Sequence, residues 1–142
     1  MLKKINNLIL RNLMNDPNKK FVNKDTGDKS SLKKSLSMFS TGITVVTTVD
    51  KNKDPIGMTV NSFASVSLCP ALVLWSIDKT QPSYDTFLKS DGYAVNILTK
   101  NQENFCSLFS SPVEDKFKNL EWELSDDGHP IIKNTLAWFN CV

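Results

Sequence analysis

Two β-branched, alternating segments joined by a turn constrain the fold more than any other feature of this chain. Residues 42–50, GITVVTTVD, lead through KNKDPIG (51–57) into GMTVNSFASVS (57–67). Val, Ile and Thr lose rotamer freedom in a helix and pack well on a pleated surface, so both segments read as strands. The Asn, Asp, Pro and Gly between them mark a polar turn, which predicts an antiparallel hairpin. Further on, ALVLWSI (71–77) is apolar on both faces and is expected in the middle of a sheet, and YAVNIL (93–98) is a fourth strand. TLAWFNCV (135–142) is the last. The predicted helices are short: one over residues 32–39 capped by Ser30 or Ser31 and broken by Gly42, SYDTFLKS capped by Ser83, and one from Gln102 to about Phe109. Strands outnumber helices, which predicts a mainly β fold with short α, an antiparallel sheet or barrel with helices at its edges and not a parallel doubly wound sheet.

At 142 residues with 40% hydrophobic side chains, the chain suits one globular domain. Its net charge of +2 is too mild to argue for nucleic acid, and no apolar run reaches the length of a membrane span. Cys69, Cys106 and Cys141 are odd in number and far apart, which points to a reduced, cytoplasmic protein and away from zinc or CxxC chemistry. His129 is the only histidine, which excludes a multi-histidine metal site and removes the usual general base of a hydrolase triad. It lies in DGHPII and reads as a surface turn residue. The glycines form neither GxGxxG nor a phosphate-binding loop. Residues 1–31 read as a basic N-terminal helix, with Leu2, Ile5, Ile9 and Leu13 near one side, followed by a polar linker. Such a helix packs on its own domain or a partner subunit, or lies on a membrane surface. The folded domain is expected over 32–142. TLAWFNCV is an apolar strand with nothing after it, so either it is inserted between other strands or the chain is a fragment.

GMTVNSFASVS also poses a chemical question. With period two, Met58, Val60, Ala64 and Val66 point one way, and Thr59, Asn61, Phe63, Ser65 and Ser67 the other. The second face carries hydroxyls and an amide but no charge. A solvated strand enriched in Ser and Thr is one reading. A ligand with many hydrogen-bonding atoms is the other. A flavin suits it, since its carbonyl oxygens and ring nitrogens match small donors, and Ser hydroxyls with backbone N–H groups can hold its phosphate without a lysine.

Together, GITVVTTVD, GMTVNSFASVSLCPALVLWSI, YAVNIL followed by Gln102, DKF (115–117) and LAWFNC resemble the flavin reductase-like domain of short-chain NAD(P)H:flavin oxidoreductases, the reductase components of two-component flavin monooxygenases. The resemblance runs from about Leu32 to Val142. It implies an FMN-binding split β-barrel of antiparallel Greek-key type, which binds FMN or FAD as a homodimer with the flavin near the subunit interface. Carried over by position, Thr59, Asn61, Ser62, Ser65, Val66 and Ser67 line the flavin, with Thr59, Asn61 and Ser62 by the isoalloxazine and Ser65 and Ser67 towards the ribityl and phosphate end. Ser83 matches a position near the phosphate, although a bare helix cap looks the same. Asn96 is a further candidate, and bonding to buried backbone is its competing use. Trp75, Trp122 and Trp138 read as core or interface residues. No catalytic residue is assigned. The resemblance implies hydride transfer from NAD(P)H to flavin N5 and release of reduced flavin to a partner monooxygenase. It also implies further barrel strands after LAWFNCV, with a Gly-Asp-His segment that His129 does not match, so the barrel is expected to be incomplete at its C-terminus. Two other readings stay open: a flavin-binding module without turnover, and a sheet-based protein interaction domain.

Overall fold

The computed structural model describes the backbone of Asn7–Leu8 and Val22–Asn23 and residues 36–142. Two compact units are distinguished, residues 1–40 and 41–142. In the first, β1 (Asn7–Leu8) pairs antiparallel with β2 (Val22–Asn23). Leu2, Ile5, Ile9 and Leu13 of the expected basic helix lie outside the described residues. So does the first half of the helix expected over 32–39, residues 32–35; in the second half a turn is closed by the Phe39 N–H on the Leu36 carbonyl.

The second unit is built on a four-stranded antiparallel sheet. β3 (Thr44–Val49) and β4 (Pro55–Val60) form the predicted hairpin, in register from Thr44 opposite Val60 to Val49 opposite Pro55. Its turn is held by Asp50, whose Oδ1 accepts the N–H groups of Asn52 at 2.8 Å and Asp54 at 2.9 Å. β7 (Tyr93–Ile97) lies on the other side of β3, and β10 (Ala137–Cys141) pairs with β7, giving the order β10–β7–β3–β4.

Both faces of this sheet are covered, so adjacent residues of β3 serve different cores. Val45 packs with Phe109, Phe117 and Ile132, whereas Val46 packs with Val60, Phe87 and Val95. Full burial of each such side chain contributes about 1.5–3 kcal/mol. The helices that close the two faces are α1 (Tyr84–Lys89), which supplies Phe87, and α2 (Glu103–Ser110), which supplies Phe109. A short 3₁₀ turn, Lys100–Gln102, leads into α2, and the Gln102 side chain accepts the Thr99 N–H and donates to the Lys133 carbonyl.

Three expectations are corrected. Residues 57–67 are not one strand: the backbone leaves the sheet after Val60 and resumes as β5 (Ala64–Leu68), so the two-residue alternation does not run through. Phe63, read onto the polar face, packs beside the core of Val46 and Val60. Residues 71–77 are not a central strand either. β6 (Ala71–Leu74) pairs only with β5 in a two-stranded ribbon, with Leu72 and Leu74 exposed, and the apolar run continues into Trp75 and Ile77, which do reach the core. The central, fully buried stretch is Ala94, Val95 and Asn96 of β7. A further hairpin, β8 (Trp122–Leu124) with β9 (Pro130–Ile132), escaped the sequence reading because each strand is only three residues long.

His129 is the third correction. It does sit in the β8–β9 turn, where Gly128 has φ +82°, but the residue is 5% exposed. Its Nδ1 lies 2.9 Å from Asn140 Oδ1, while the Asn140 amide donates to Asp127, so Nδ1 carries the proton. The ring fills the space beside Gly92, where an added Cβ would lie 2.7 Å from His129 Cε1. A glycine 37 positions earlier makes the room for that ring.

Candidate functional site

A cavity of about 540 Å³ opens between β4, the start of α1 and the segment that follows α2. Gly57, Thr59, Ser83, Thr86, Ser111 and Lys116 are among its lining residues. Thr59 is placed by the β3–β4 register, and its hydroxyl donates to the Cys106 carbonyl of α2 at 2.7 Å. Ser83 is delivered by a tight loop. Asp78 Oδ1 accepts both the N–H and the hydroxyl of Thr80 at 2.9 Å, and those bonds hold the Asp78 carboxyl below its ordinary 3.8. The Gln81 N–H then closes onto the Asp78 carbonyl and the Tyr84 N–H onto the Gln81 carbonyl. The Ser83 side chain makes no capping bond to α1, and its Oγ lies 3.9 Å from Met58 Sδ.

Lys116 was passed over as a site residue, although it is the lysine of DKF. The Asp115 carboxylate accepts the Phe117 N–H, tightening this turn, and Lys116 Nζ donates to the Phe109 carbonyl near the end of α2 at 2.9 Å. Partial burial pushes its ammonium below the ordinary 10.5. Ser110 and Ser111 complete that wall of the cavity.

Five further sequence-predicted residues, Asn61, Ser62, Ser65, Val66 and Ser67, lie off this cavity, on and just before the β5–β6 ribbon. Ser62 is pinned: its Oγ accepts the Ser76 N–H at 2.9 Å and donates to the Ser76 carbonyl at 3.3 Å. The side chains of Asn61, Ser65 and Ser67 have no hydrogen-bond partner among the described residues, and Asn61 and Ser65 are exposed. Val66 occupies a β-bulge: Ser65 faces Val73 and Ser67 faces Leu72, leaving Val66 unpaired and 54% exposed. The structure thus gathers Thr59 and Ser83 on one cavity and Ser65, Val66 and Ser67 on one ribbon, with Asn61 on the segment that leads into it.

Asn96 belongs to neither group. It is fully buried, its Nδ2 donates to the Val45 carbonyl at 3.1 Å and Thr47 Oγ1 at 3.0 Å, and its Oδ1 accepts the Ile132 N–H at 2.9 Å. The amide is committed to joining β3, β7 and β9. Trp75 and Trp122 pack edge-on to core aromatics, while Trp138 is 49% exposed.

An antiparallel sheet with short helices on its faces, a two-stranded ribbon beside it and a cavity of mixed lining at one edge defines a mainly β domain of the split-barrel class. The sequence profile described as "Flavin reductase like domain" matches residues 36–142. This chain belongs to the flavin reductase-like domain family. It is 44% identical over 111 residues to the reductase component of the flavin-dependent trigonelline monooxygenase of Acinetobacter baylyi, covering 78% of this chain and 36% of that protein. It is 43% identical over 111 residues to the FMN reductase (NADH) SmoA of Agrobacterium fabrum, covering 78% of this chain and 63% of that one. The solved structure of the Streptomyces globisporus NADH:FAD oxidoreductase SgcE6, in complex with NAD and FAD fragments, matches with a TM-score of 0.75 at 35% identity, covering 80% of this chain and 68% of the other. The chain therefore spans between about one third and two thirds of the length of these relatives. Among the described residues no helix is long and apolar enough to cross a membrane.

Proposed function

We propose that this chain is an NAD(P)H-dependent flavin reductase, which passes a hydride from the nicotinamide to FMN or FAD and supplies reduced flavin to a partner monooxygenase in the cytoplasm. The observation that carries the reading is the family match over residues 36–142. Relatives described as an FMN reductase using NADH and as a monooxygenase reductase component support it.

The residues present fit a flavin. Asn61, Ser65 and Ser67 offer neutral side-chain donors that no other described group uses, which suit carbonyl oxygens and ring nitrogens. The cavity beside Thr59 and Ser83 falls in the size range of cofactor sites. Bound flavin would supply the electron-accepting chemistry, leaving the protein to bind and orient. Asn61 and the backbone before β5 are assigned to the isoalloxazine, and Ser65 and Ser67 to the ribityl and phosphate end. Ser62 steadies this segment through its two bonds to Ser76. The exposed apolar side chains Val66, Leu72 and Leu74 of the ribbon support burial against a second copy, giving a homodimer.

The test is a titration of FMN with the purified chain, read by flavin fluorescence, followed by NADH and NADPH oxidation with FMN or FAD as acceptor. Saturable quenching with flavin-dependent NADH loss supports the reductase. Quenching without turnover leaves a flavin-binding module, and no quenching by a folded sample overturns the flavin reading.

A further inference from the structure

We propose that Phe139 of the last strand and Ser62 are positioning residues, which together clamp residues 61–63 in the one shape that presents the Asn61 side chain to a bound flavin. The proposal rests on the flavin reading above and changes the role of Ser62 within it. The resemblance implied a contact with the isoalloxazine, whereas the Ser62 hydroxyl is spent on the protein itself.

Residues 61–63 belong to no strand, since β4 ends at Val60 and β5 begins at Ala64. Such a segment keeps its backbone freedom unless something fixes it, and any freedom left over is lost at a cost when a ligand binds. Ser62 supplies one fixed point. Its Oγ accepts the Ser76 N–H at 2.9 Å and donates to the Ser76 carbonyl at 3.3 Å, so one hydroxyl engages both polar groups of a backbone position just beyond β6. With its single proton committed, Ser62 has none to offer a flavin carbonyl.

Phe63 supplies the second fixed point, and Phe139 holds it. The Phe63 side chain packs on the core of Val46, Val60, Phe87 and Val95, and its ring lies 5.7 Å from that of Phe139, tilted by 32°. Phe139 stands opposite Val95 in the β10–β7 ladder, and Val95 opposite Val46 in the β7–β3 ladder. Directly opposed residues share a face, so Phe139 extends this core onto the outer strand, where Phe63 rests against it. Phe139 is 40% exposed, so trimming it removes support from Phe63 and leaves the centre of the core in place. On the other side of the segment, Thr59 is tied to the Cys106 carbonyl. Asn61 is therefore exposed and unpartnered between committed neighbours, an amide held ready for a ligand. The clamp also gives a use to Phe139 in LAWFNC, which lies on neither the cavity nor the ribbon.

Residue-resolved amide hydrogen exchange of the flavin-free protein, with equilibrium binding of FMN and riboflavin, tests this on the wild type, Phe139→Leu, Phe139→Tyr, Ser62→Ala and Ser62→Thr. Phe139→Leu and Ser62→Ala are each expected to speed exchange at residues 61–63 about threefold or more, and Ser62→Ala also at Ser76. Both are expected to weaken FMN and riboflavin alike, about three- to tenfold, because the two flavins share the ring system that Asn61 meets. Phe139→Tyr keeps the ring and Ser62→Thr the hydroxyl, so both should stay within about twofold of wild type. A residue that merely stabilises the fold would speed exchange at Val46 and Val95 and leave 61–63 unmoved, and that pattern overturns the proposal. A loosened segment with unchanged flavin affinity, a loss confined to FMN, or equal losses in the conservative variants overturn it as well. Ser62→Ala, which removes one half-buried hydroxyl, carries the test alone if Phe139→Leu does not fold. If the folded wild type binds no flavin, the flavin reading fails on its own. Exchange then decides about the clamp: faster exchange at 61–63 in Phe139→Leu and Ser62→Ala supports it, and unchanged exchange overturns it.

Discussion

Replacing Gly57 with alanine asks whether the β4–α2 contact is as tight as the geometry says. A methyl group there would lie 2.5 Å from Phe109 Cε1, 2.8 Å from Phe109 Cδ1 and 3.2 Å from Thr47 Cγ2, well inside ordinary carbon–carbon contact. Gly57 is a strand residue outside the left-handed region, so on backbone grounds alone alanine gains about 0.5–1 kcal/mol. Overpacking costs about 1–3 kcal/mol and must be set against that gain. The ring has little room to retreat, because Phe109 is 1% exposed, lies edge-on to Phe117 at 5.2 Å, and Phe117 in turn meets Trp122 at 5.6 Å. The packing loss therefore exceeds the backbone gain, for a net destabilisation of about 0.5–2 kcal/mol. Phe109→Leu withdraws the atoms that meet the new methyl, so Gly57→Ala is expected to cost about 1 kcal/mol less in that background than alone. Urea unfolding followed by fluorescence of the three tryptophans measures all four proteins. A neutral or stabilising Gly57→Ala, or strictly additive effects, would refute the packing described for Phe109.

Asn96→Ala strands the Val45 carbonyl side and the Ile132 N–H inside the core, and is expected to lower stability by about 2–4 kcal/mol in the same assay; a loss below half a kcal/mol would mean that this amide is not the joint between β7 and β9. Burial raises the Cys141 thiol above 9.0 and, with it, the Tyr93 phenol above 10.0. Above pH 9 the unfolded chain gives up these protons first, so the stability they confer is complete below that pH and lost as pH rises through the folded values. Urea midpoints are expected to fall above pH 9, less steeply in Cys141→Ala, and identical slopes would contradict the assignment. Ser67→Ala removes a donor with no internal use, so it is expected to weaken FMN binding about three- to tenfold without moving the unfolding midpoint; unchanged affinity would detach Ser67 from the flavin.

What the sequence revealed was local. Thr44 to Val49 are β-branched throughout, and Asp50 turns the chain by bonding its own neighbours, so the first hairpin was legible. The polar residues of the ribbon were legible as a group because their lack of charge is a property of composition. The break at residues 61–63 was not, because Phe63 fits a two-residue alternation while its ring turns to the core beside Val60. Residues 71–77 misled because an apolar run looks the same whether its first half lies on an exposed ribbon or inside a sheet. His129 and Lys116 depend on distant partners, Gly92 for one and the Phe109 carbonyl for the other, and no pattern around them encodes either.

The two-sided burial of β3 has a consequence for how the chain comes off the ribosome. Val46, Val60, Phe87 and Val95 can meet as soon as β7 has emerged, whereas Val45 must wait for Ile132, 37 residues later. At about 5–20 residues per second that delay is roughly 2–7 s. For that interval the nascent sheet would have the centre of one core formed and the other still incomplete, because Val45 is covered only as Phe109, Phe117 and then Ile132 arrive. Nascent chains stalled at a length that leaves β7 outside the ribosome but Ile132 still inside should accordingly resist proteolysis around Val46 and Val95 less than full-length chains but more than chains stalled before β7 has emerged; equal sensitivity of the two stalled forms would mean that the two sides close together.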